Sequence, residues 1–137
     1  MTASAALSLR AAVFARLSSD AALSGLLGGA KIHDEPPRAA LPPYVALGPM
    51  TARDVSGDLV PAVEHELALE LWSREGGLAE ALKAADRVVR LLDGAELALD
   101  GHRLASLAWR FTAADRATNA DFRRAEIAFR AVTEPLD

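Results

Sequence analysis

The alternation of apolar and polar positions is clearest in the middle of the chain, between Glu66 and Trp72. Leu67, Leu69 and Leu71 occupy every second position there, which is the period of a strand with one buried face. Trp72 falls on the opposite face from these three leucines. We therefore expect a half-buried strand whose tryptophan contacts something other than the domain's own helices.

A helical period follows directly, from Gly77 to Asp93, and Gly94 is a typical residue just past a helix C-terminus. This helix is expected to pack its apolar stripe on the three leucines of the preceding strand. The predicted stripe consists of Leu78, Ala81, Leu82, Ala85, Val88, Val89 and Leu92.

Two shorter helices are predicted at the N-terminus. Ser4 and Asp20 are placed to cap them, and Gly28 is placed to end the second. The predicted apolar positions are Leu7, Val13, Phe14 and Leu17 in the first helix and Leu23, Leu26 and Leu27 in the second.

The next stretch is rich in proline and in turn residues. A very short strand is expected at Lys31 to His33, followed by a connection from Asp34 to Pro43 that prolines prevent from being helical. Tyr44 to Leu47 then predicts a strand. The polar and glycine-containing residues from Pro49 to Pro61 indicate a mobile connection.

The C-terminal part predicts further strands. Asp100-Gly101 suits a tight hairpin turn, and Leu107, Trp109 and Phe111 are expected to share one strand face. A polar break is expected from Ala113 to Asp121 before a last alternating strand. Its apolar positions are Ala125, Ile127, Phe129 and Ala131, alternating with Arg124, Glu126, Ala128 and Arg130. The pattern therefore predicts an α+β fold with an antiparallel sheet of about four or five strands and helices packed on one face.

The 137 residues are enough for one core, so we expect a single domain over residues 1–137. The formal charge of -4 disfavours a surface that grips phosphates. The chain contains no cysteine, which excludes disulfides and thiolate metal sites. No stretch reaches the roughly 20 apolar residues of a membrane span, so we expect a soluble protein with no membrane partner.

Candidate chemistry is sparse. His65-Glu66 begins like a zinc-protease motif, but Leu69 stands where its second histidine would be required. His33-Asp34-Glu35 offers three possible ligands, yet adjacent residues rarely converge on one ion. No nucleophile and base occur at a persuasive spacing. We therefore expect neither a metal nor a cofactor, and an unrecognised hydrolase is disfavoured as a third possibility.

Three motifs in this order resemble a known family. They are Asp-Glu-Pro at Asp34 to Pro36, Leu-Pro-Pro-Tyr-Val at Leu41 to Val45, and Leu-Glu-Leu-Trp-Ser at Leu69 to Ser73. Together with the order of the predicted elements, they resemble the tail terminator, or tail completion, family of long-tailed bacteriophages. The alanine- and arginine-rich sequence is most similar to the version found in gene transfer agents. The doubled proline, Pro42-Pro43, departs from the family's motif.

The resemblance implies a structural role and a protein that is not an enzyme. Members of the family form a ring, typically a hexamer, that caps the tail tube, ends its polymerisation and joins the tail to the head. The implied partners are further copies of the chain, the major tail tube protein and a head-completion or connector protein, while DNA passes through the bore without specific binding. Assembly is implied in the bacterial cytoplasm, and the final location is the head-tail junction.

Residues for subunit or partner contacts are predicted from the polar loop, the outward tryptophan and the polar face of the last strand. They are Met50, Arg53, Asp54, Asp58, Trp72, Arg124, Glu126 and Arg130. The alternative that the residues leave open is a small ligand-binding α+β module. Such a module requires an apolar cavity between helices and sheet, with polar groups that converge on it.

Overall fold

A computed structural model of the chain describes residues 4–74, 78–116 and 122–136 as three helices and a six-stranded sheet. The helices are α1 (Ala5–Ser18), α2 (Ala21–Leu27) and α3 (Ala79–Leu92). The strands are β1 (Ile32–His33), β2 (Tyr44–Asp54), β3 (Val63–Arg74), β4 (Ala98–Leu99), β5 (His102–Arg116) and β6 (Phe122–Pro135). The predicted α+β class is therefore confirmed.

The strand order in the sheet is β1-β2-β3-β6-β5-β4. β1 and β2 are parallel and all other neighbours are antiparallel, so the predicted antiparallel sheet of four or five strands is wrong in both respects. The strands β1 and β4 contain two residues each, which is too short to show an alternation of apolar and polar positions. The direction of β1 depends on the path of the connection from residue 34 to residue 43, which apolar periodicity does not encode.

The first helix begins where Ser4 predicts, since the Ser4 hydroxyl accepts a hydrogen bond from the Leu7 backbone N–H at 3.1 Å. Its buried apolar residues are Leu9, Val13 and Leu17, which recur every fourth position. Leu7 and Phe14 are exposed, so the predicted broad apolar face is wrong. Both lie about 100° or more around the helix from the centre of the buried stripe, because each residue advances the helix by about 100°.

Asp20 joins α2 to α3. Its carboxylate caps α2 by accepting a hydrogen bond from the Leu23 N–H at 2.8 Å, as predicted, and binds the Arg87 guanidinium of α3 at 2.7 and 2.9 Å. The hydrogen bonds from Arg87 and Leu23 lower the pKa of Asp20 to about 2. Gly28 ends the helix in the left-handed conformation, which also confirms the prediction.

The third helix packs on the sheet through a stripe that is rotated from the predicted one. Leu82 is 39% exposed, so its predicted place in the stripe is wrong, whereas Val89 is partly buried and packs against the core. Gly94 has a φ of 71° and follows the helix as predicted, whereas the predicted start at Gly77 lies outside the described residues. The buried residues are Ala81, Ala84, Ala85, Val88, Leu91 and Leu92.

The two central strands have the faces that their alternation predicts. Leu67, Leu69 and Leu71 of β3 are buried in one core with the helices. The alternate apolar residues of β6 join them, and these are Ala125, Ile127, Phe129 and Ala131. The central strand, the last strand and their shared core are therefore confirmed.

A β-bulge changes the predicted face of β5. Trp109 lies opposite Phe129, whereas Phe111 lies opposite Ala128, because an extra residue is inserted between them. Phe111 therefore points to the sheet face opposite Leu107, and the predicted shared face of Leu107, Trp109 and Phe111 is wrong.

Two predicted connections are shorter than expected. Residues 49–54 continue β2 rather than forming a loop, and residues 113–116 continue β5 rather than a polar break. Both segments lie on strands that have at least one exposed face. Exposed strand positions favour polar residues, so the composition of these segments resembles that of a loop. Residues 117–121 of the predicted break lie outside the described part of the chain.

A buried histidine predicts a dependence of stability on pH. His65 is fully buried, its Nε2 atom lies 2.9 Å from the Thr133 hydroxyl, and its Nδ1 atom has no hydrogen-bond partner within the described residues. Burial, with a smaller contribution from His102, lowers the pKa of His65 below its usual 6.5. The unfolded chain therefore binds this proton more readily than the folded chain.

The stability that neutral His65 contributes is complete above about pH 6.5 and is lost as the pH falls towards the lower pKa of the folded state. We expect the free energy of unfolding, measured by denaturant titration, to fall between pH 7 and pH 5.5. The fall should be smaller in His65→Gln, which cannot take up the proton. Parallel pH profiles for the two proteins would contradict this assignment.

Candidate partner interface

None of the three helices in the described part of the chain packs on one face of the sheet, because their buried apolar residues join the core on the other side. We call this surface the outer face. Most of its side chains on the two central strands are polar or charged, in contrast to the apolar side chains that face the core. On β3 they are Glu64, Glu66, Ala68, Glu70 and Trp72, and on β6 they are Arg124, Glu126, Ala128, Arg130 and Val132.

Glu64 is the centre of an ion-pair cluster at one end of this face. Its side chain is only 10% exposed and accepts hydrogen bonds from Arg130 and Arg53. The closest nitrogen of Arg130 lies at 2.5 Å and that of Arg53 at 2.6 Å. The hydrogen bond from Arg130, with a weaker contribution from Arg53, lowers the pKa of the Glu64 carboxyl. Two of the predicted contact residues, Arg53 and Arg130, are therefore held together by a carboxylate that the sequence analysis did not single out.

Trp72 belongs to a row of rings at the other end of the outer face. Its ring stacks on Tyr44 with 6.4 Å between centroids, and the ring of Tyr44 meets His33 edge-on at 5.8 Å. The guanidinium of Arg124 lies 5.9 Å from the centroid of Trp72 and also binds Glu70 at 3.2 Å. Trp72 is half-buried, and it faces away from the helices as predicted.

Burial raises the pKa of Tyr44, with a smaller contribution from the charge of Glu70. Tyr44 and His33 were not predicted as contact residues. Tyr44 sits at the first position of its predicted strand, where alternation with the buried Val45 would have placed it on the outer face.

Between the two ends, the outer face is flatter and more apolar. Ala68 and Ala128 lie opposite each other on adjacent strands and leave a shallow groove of about 300 Å³. Phe111, brought to this face by the bulge and 49% exposed, lines one side together with Arg110, and Glu66 lines the groove as well. Glu126 is half-buried beside this region, opposite Glu70 on β3. A charged and aromatic rim around small apolar residues is typical of surfaces that bind another protein.

The structure separates the remaining predicted contact residues from one another. Met50 lies in β2 with its side chain packed partly against the core, and Asp54 lies at the end of the same strand, where it binds Ser56. Asp58 is exposed in the connection from Val55 to Ala62. Trp72, Arg124, Glu126 and Arg130 are brought together on the outer face, with Arg53 joined to them through Glu64.

That connection carries apolar side chains into solvent. Leu59 is 95% exposed and Val60 is 52% exposed at its tip, while its base is closed by the backbone hydrogen bond from the Val55 N–H to the Ala62 carbonyl. The prediction of a mobile connection rested on the polar and glycine residues of this stretch and did not use its apolar residues. Exposed apolar residues at a loop tip are an additional signal for a partner contact.

We expect the amide protons of the connection from Val55 to Ala62 to exchange rapidly in the isolated subunit and slowly after assembly, because a partner would cover the apolar tip. Hydrogen exchange of the free and the particle-bound protein measures this directly, with β3 as an internal reference of constant protection. Equal and strong protection of the connection in both forms would contradict the expectation.

Among the described residues, no group of three or more histidine or acidic side chains could hold a metal ion. The space that Arg10, Val13, Leu47 and their neighbours enclose between α1 and the sheet is about 10 Å³. That volume does not admit the ligand that the alternative of a binding module requires at this position. No helix in the described part of the chain is long and apolar enough to cross a bilayer.

Comparison with known proteins shows the family of the chain and its similarity to a component of a solved virion structure. Residues 11–134 match the family model of tail completion protein gp17. A chain of the solved structure "Virion of native gene transfer agent (GTA) particle" is similar, with a TM-score of 0.87 and 35% sequence identity. The similarity covers 94% of this chain and 96% of that one. A search of curated protein sequences gives no match.

Proposed function

Because the chain belongs to the tail completion protein gp17 family, we propose that it forms a closed ring that caps the tail tube of a phage-like particle. In this function the ring ends polymerisation of the tube and provides the surface to which the head is joined. The ring consists of identical subunits, and six is the number that we propose.

The family is one of structural tail proteins, and the chain is a structural protein of a phage-like particle of the gene-transfer-agent kind. Function therefore depends on the surfaces through which the subunit meets its partners rather than on an active site. The proposed partners are further copies of the chain, the major tail tube protein and a head-completion or connector protein. The protein assembles in the bacterial cytoplasm and remains at the head-tail junction.

The observation that carries the proposal is the similarity along almost the whole chain to a component of an assembled virion. The outer face supports it, because Trp72 with its aromatic row and the Glu64 cluster form a broad surface that α1, α2 and α3 leave uncovered. We propose that Trp72, Arg124, Glu126 and Arg130 contact a neighbouring component. Repeated head-to-tail contacts between identical subunits close into a ring when the rotation between them divides a full turn.

DNA passes through the bore of the proposed ring without being held. The formal charge of -4 supports this, and several arginines are already paired with carboxylates within the subunit. The pairs include Arg53 and Arg130 with Glu64, and Arg124 with Glu70. An arginine offset in this way contributes less to the attraction of phosphates. Tight binding of duplex DNA at physiological salt would contradict the passive passage.

The ring itself is tested by mass. Native mass spectrometry of the purified protein and of the component released from particles should show a closed species of six chains of 14.5 kDa each. A protein that stays monomeric in both preparations would contradict the proposed ring. A different closed number would correct the stoichiometry and leave the capping function in place.

A further inference from the structure

We infer that neighbouring copies join edge to edge, through the residue 50–54 segment of β2 in one copy and the residue 110–114 segment of β5 in the next. We call these the β2 edge and the β5 edge. The inference rests on the proposed ring and specifies how its subunits are connected: backbone hydrogen bonds continue the sheet from one copy into the next.

The β2 edge begins after the last β2 residues whose backbone has a hydrogen-bond partner on the side away from β3. β1 pairs only with Val45 and Ala46, and the guanidinium of Arg10 then donates to the carbonyls of Leu47 and Gly48, each at 2.9 Å. Among the described residues, nothing is hydrogen-bonded to the backbone of residues 50–54 on the side away from β3. This stretch is a free strand edge.

The direction of its backbone groups follows from the hydrogen bonds to β3. The Val55 N–H points towards the neighbouring chain segment, because it donates to the Ala62 carbonyl at 3.0 Å. Residues that face a partner strand alternate along an antiparallel pair. Ala52 and Asp54 therefore direct their N–H and C=O groups away from β3.

The β5 edge is exposed in the same way on the other side of the sheet. β4 covers only His102 and Arg103, the Gly94 N–H then donates to the Leu107 carbonyl at 2.8 Å, and the Trp109 N–H donates to Asp93 at 3.0 Å. Beyond the bulge, the alternation turns the backbone groups of Thr112 outward. Within the described part of the chain, residues 110–114 have no backbone partner on this side.

The two edges are complementary in direction. β2 is antiparallel to β3, β3 to β6 and β6 to β5, so β2 and β5 run in opposite directions. A β5 edge placed beside a β2 edge by translation and rotation around a ring therefore forms an antiparallel pair. The two free segments lie towards opposite ends of the sheet. Neighbouring copies that pair through them are therefore shifted relative to each other along the strand direction. A closed sheet with tilted strands requires such a shift.

One register joins the full length of both edges. It pairs Ala52 with Thr112, both of which have side chains on the helix side of the sheet. It also brings the largely exposed Arg53 side chain to Phe111 on the outer face, where a guanidinium and an aromatic ring attract each other. A shift by one residue would exchange the two faces and lose both matches.

Cysteine pairs test this register, because the natural chain contains no cysteine. Directly opposed residues that share hydrogen bonds in an antiparallel pair have Cα atoms about 5.5 Å apart, within the range for a disulfide. Ala52→Cys combined with Thr112→Cys should give a ladder of covalent oligomers after mild oxidation of the assembled protein. The matched control, Ala52→Cys with Ala108→Cys, places the second thiol on the outer face opposite Arg130 and should give no ladder.

A second pair of variants tests the hydrogen bonds. Ala52→Pro removes an outward N–H, whereas Ala52→Val keeps it at the same position. We expect the proline variant to weaken association of subunits at least about ten-fold and the valine variant to leave it within about three-fold. Circular dichroism of the monomers establishes that both variants are folded.

The outcomes separate this inference from the proposed ring. A wild-type ring in which the paired cysteines give no ladder and the proline variant assembles normally would overturn the edge-to-edge contact and leave the ring intact. A wild-type protein that stays monomeric, alone and in particles, would overturn both. A ladder with the cysteine pair and none with the control supports the contact and its register.

Discussion

Replacement of Leu69 by alanine should destabilise the subunit by about 2–5 kcal/mol, the range measured for large-to-small changes in well-packed cores. Leu69 is 1% exposed and lies in the central strand, opposite Leu47 of β2 and Ile127 of β6. Removal of its branched end leaves a cavity that the sheet on both sides prevents from collapsing. Denaturant titration of the purified subunit measures the change in the free energy of unfolding.

The adjacent residue supplies the matched control. Glu70→Ala changes the outer face of the same strand and removes one partly exposed ion pair with Arg124, which is worth about 1 kcal/mol or less. We therefore expect the Glu70 variant to unfold near the wild-type midpoint. Equal losses in the free energy of unfolding for the two variants would mean that the helices do not pack on the face of β3 that carries Leu69.

The substitution Trp72→Glu should leave a folded subunit that cannot complete particles. Trp72 is half-buried on the outer face, and a tryptophan at the centre of an interface typically contributes about 2–4 kcal/mol or more to binding. Arg124, already beside the ring, offers the new carboxylate a partner within the subunit. Electron microscopy should therefore show tails of uncontrolled length or tails without heads.

Trp72→Phe is the control, because a phenyl ring keeps the stacking on Tyr44 and the contact with Arg124. We expect this variant to yield complete particles in numbers close to the wild type. Normal particles from Trp72→Glu would show that the residue is not at a required contact. Loss of particles from both variants, with both subunits folded, would mean that the interface requires the indole itself.

The elements with a long, one-sided pattern could be predicted from the sequence. β3 and β6 each present an apolar residue at every second position over much of their length, so their faces and their shared core followed from alternation. The caps at Ser4 and Asp20 and the turns at Gly28, Gly94 and Gly101 followed from residue types with specific backbone roles.

Features that depend on neighbouring strands could not be predicted in this way. The bulge that sends Phe111 to the outer face is set by the pairing with β6 and leaves no mark on the spacing of apolar residues. The parallel pairing of β1 depends on the path of a proline-rich connection. The narrow stripe of α1, which excludes Leu7 and Phe14, depends on the width of the surface that the sheet offers it.

The part of the candidate interface that could be predicted is the set of residues whose strand face follows from the alternation of apolar and polar positions. Alternation placed Trp72, Arg124, Glu126 and Arg130 on one surface, which the structure confirms as a shared outer face. It did not reveal that Glu64 binds both Arg53 and Arg130, since those residues come from three strands that are distant in the sequence. The free edges of β2 and β5 could not be predicted either, because residues 49–54 and 113–116 have a composition typical of loops and were not predicted as strands.

The central claim, that the chain ends the growth of the tail tube and joins it to the head, is tested most directly by the lengths of tails formed without it. Particles are produced in cells that lack the chain, and tail lengths are measured by electron microscopy beside those of the wild type. The account predicts a broad distribution of tubes, many longer than normal and none attached to a DNA-filled head. Tails of normal, uniform length joined to heads would contradict it.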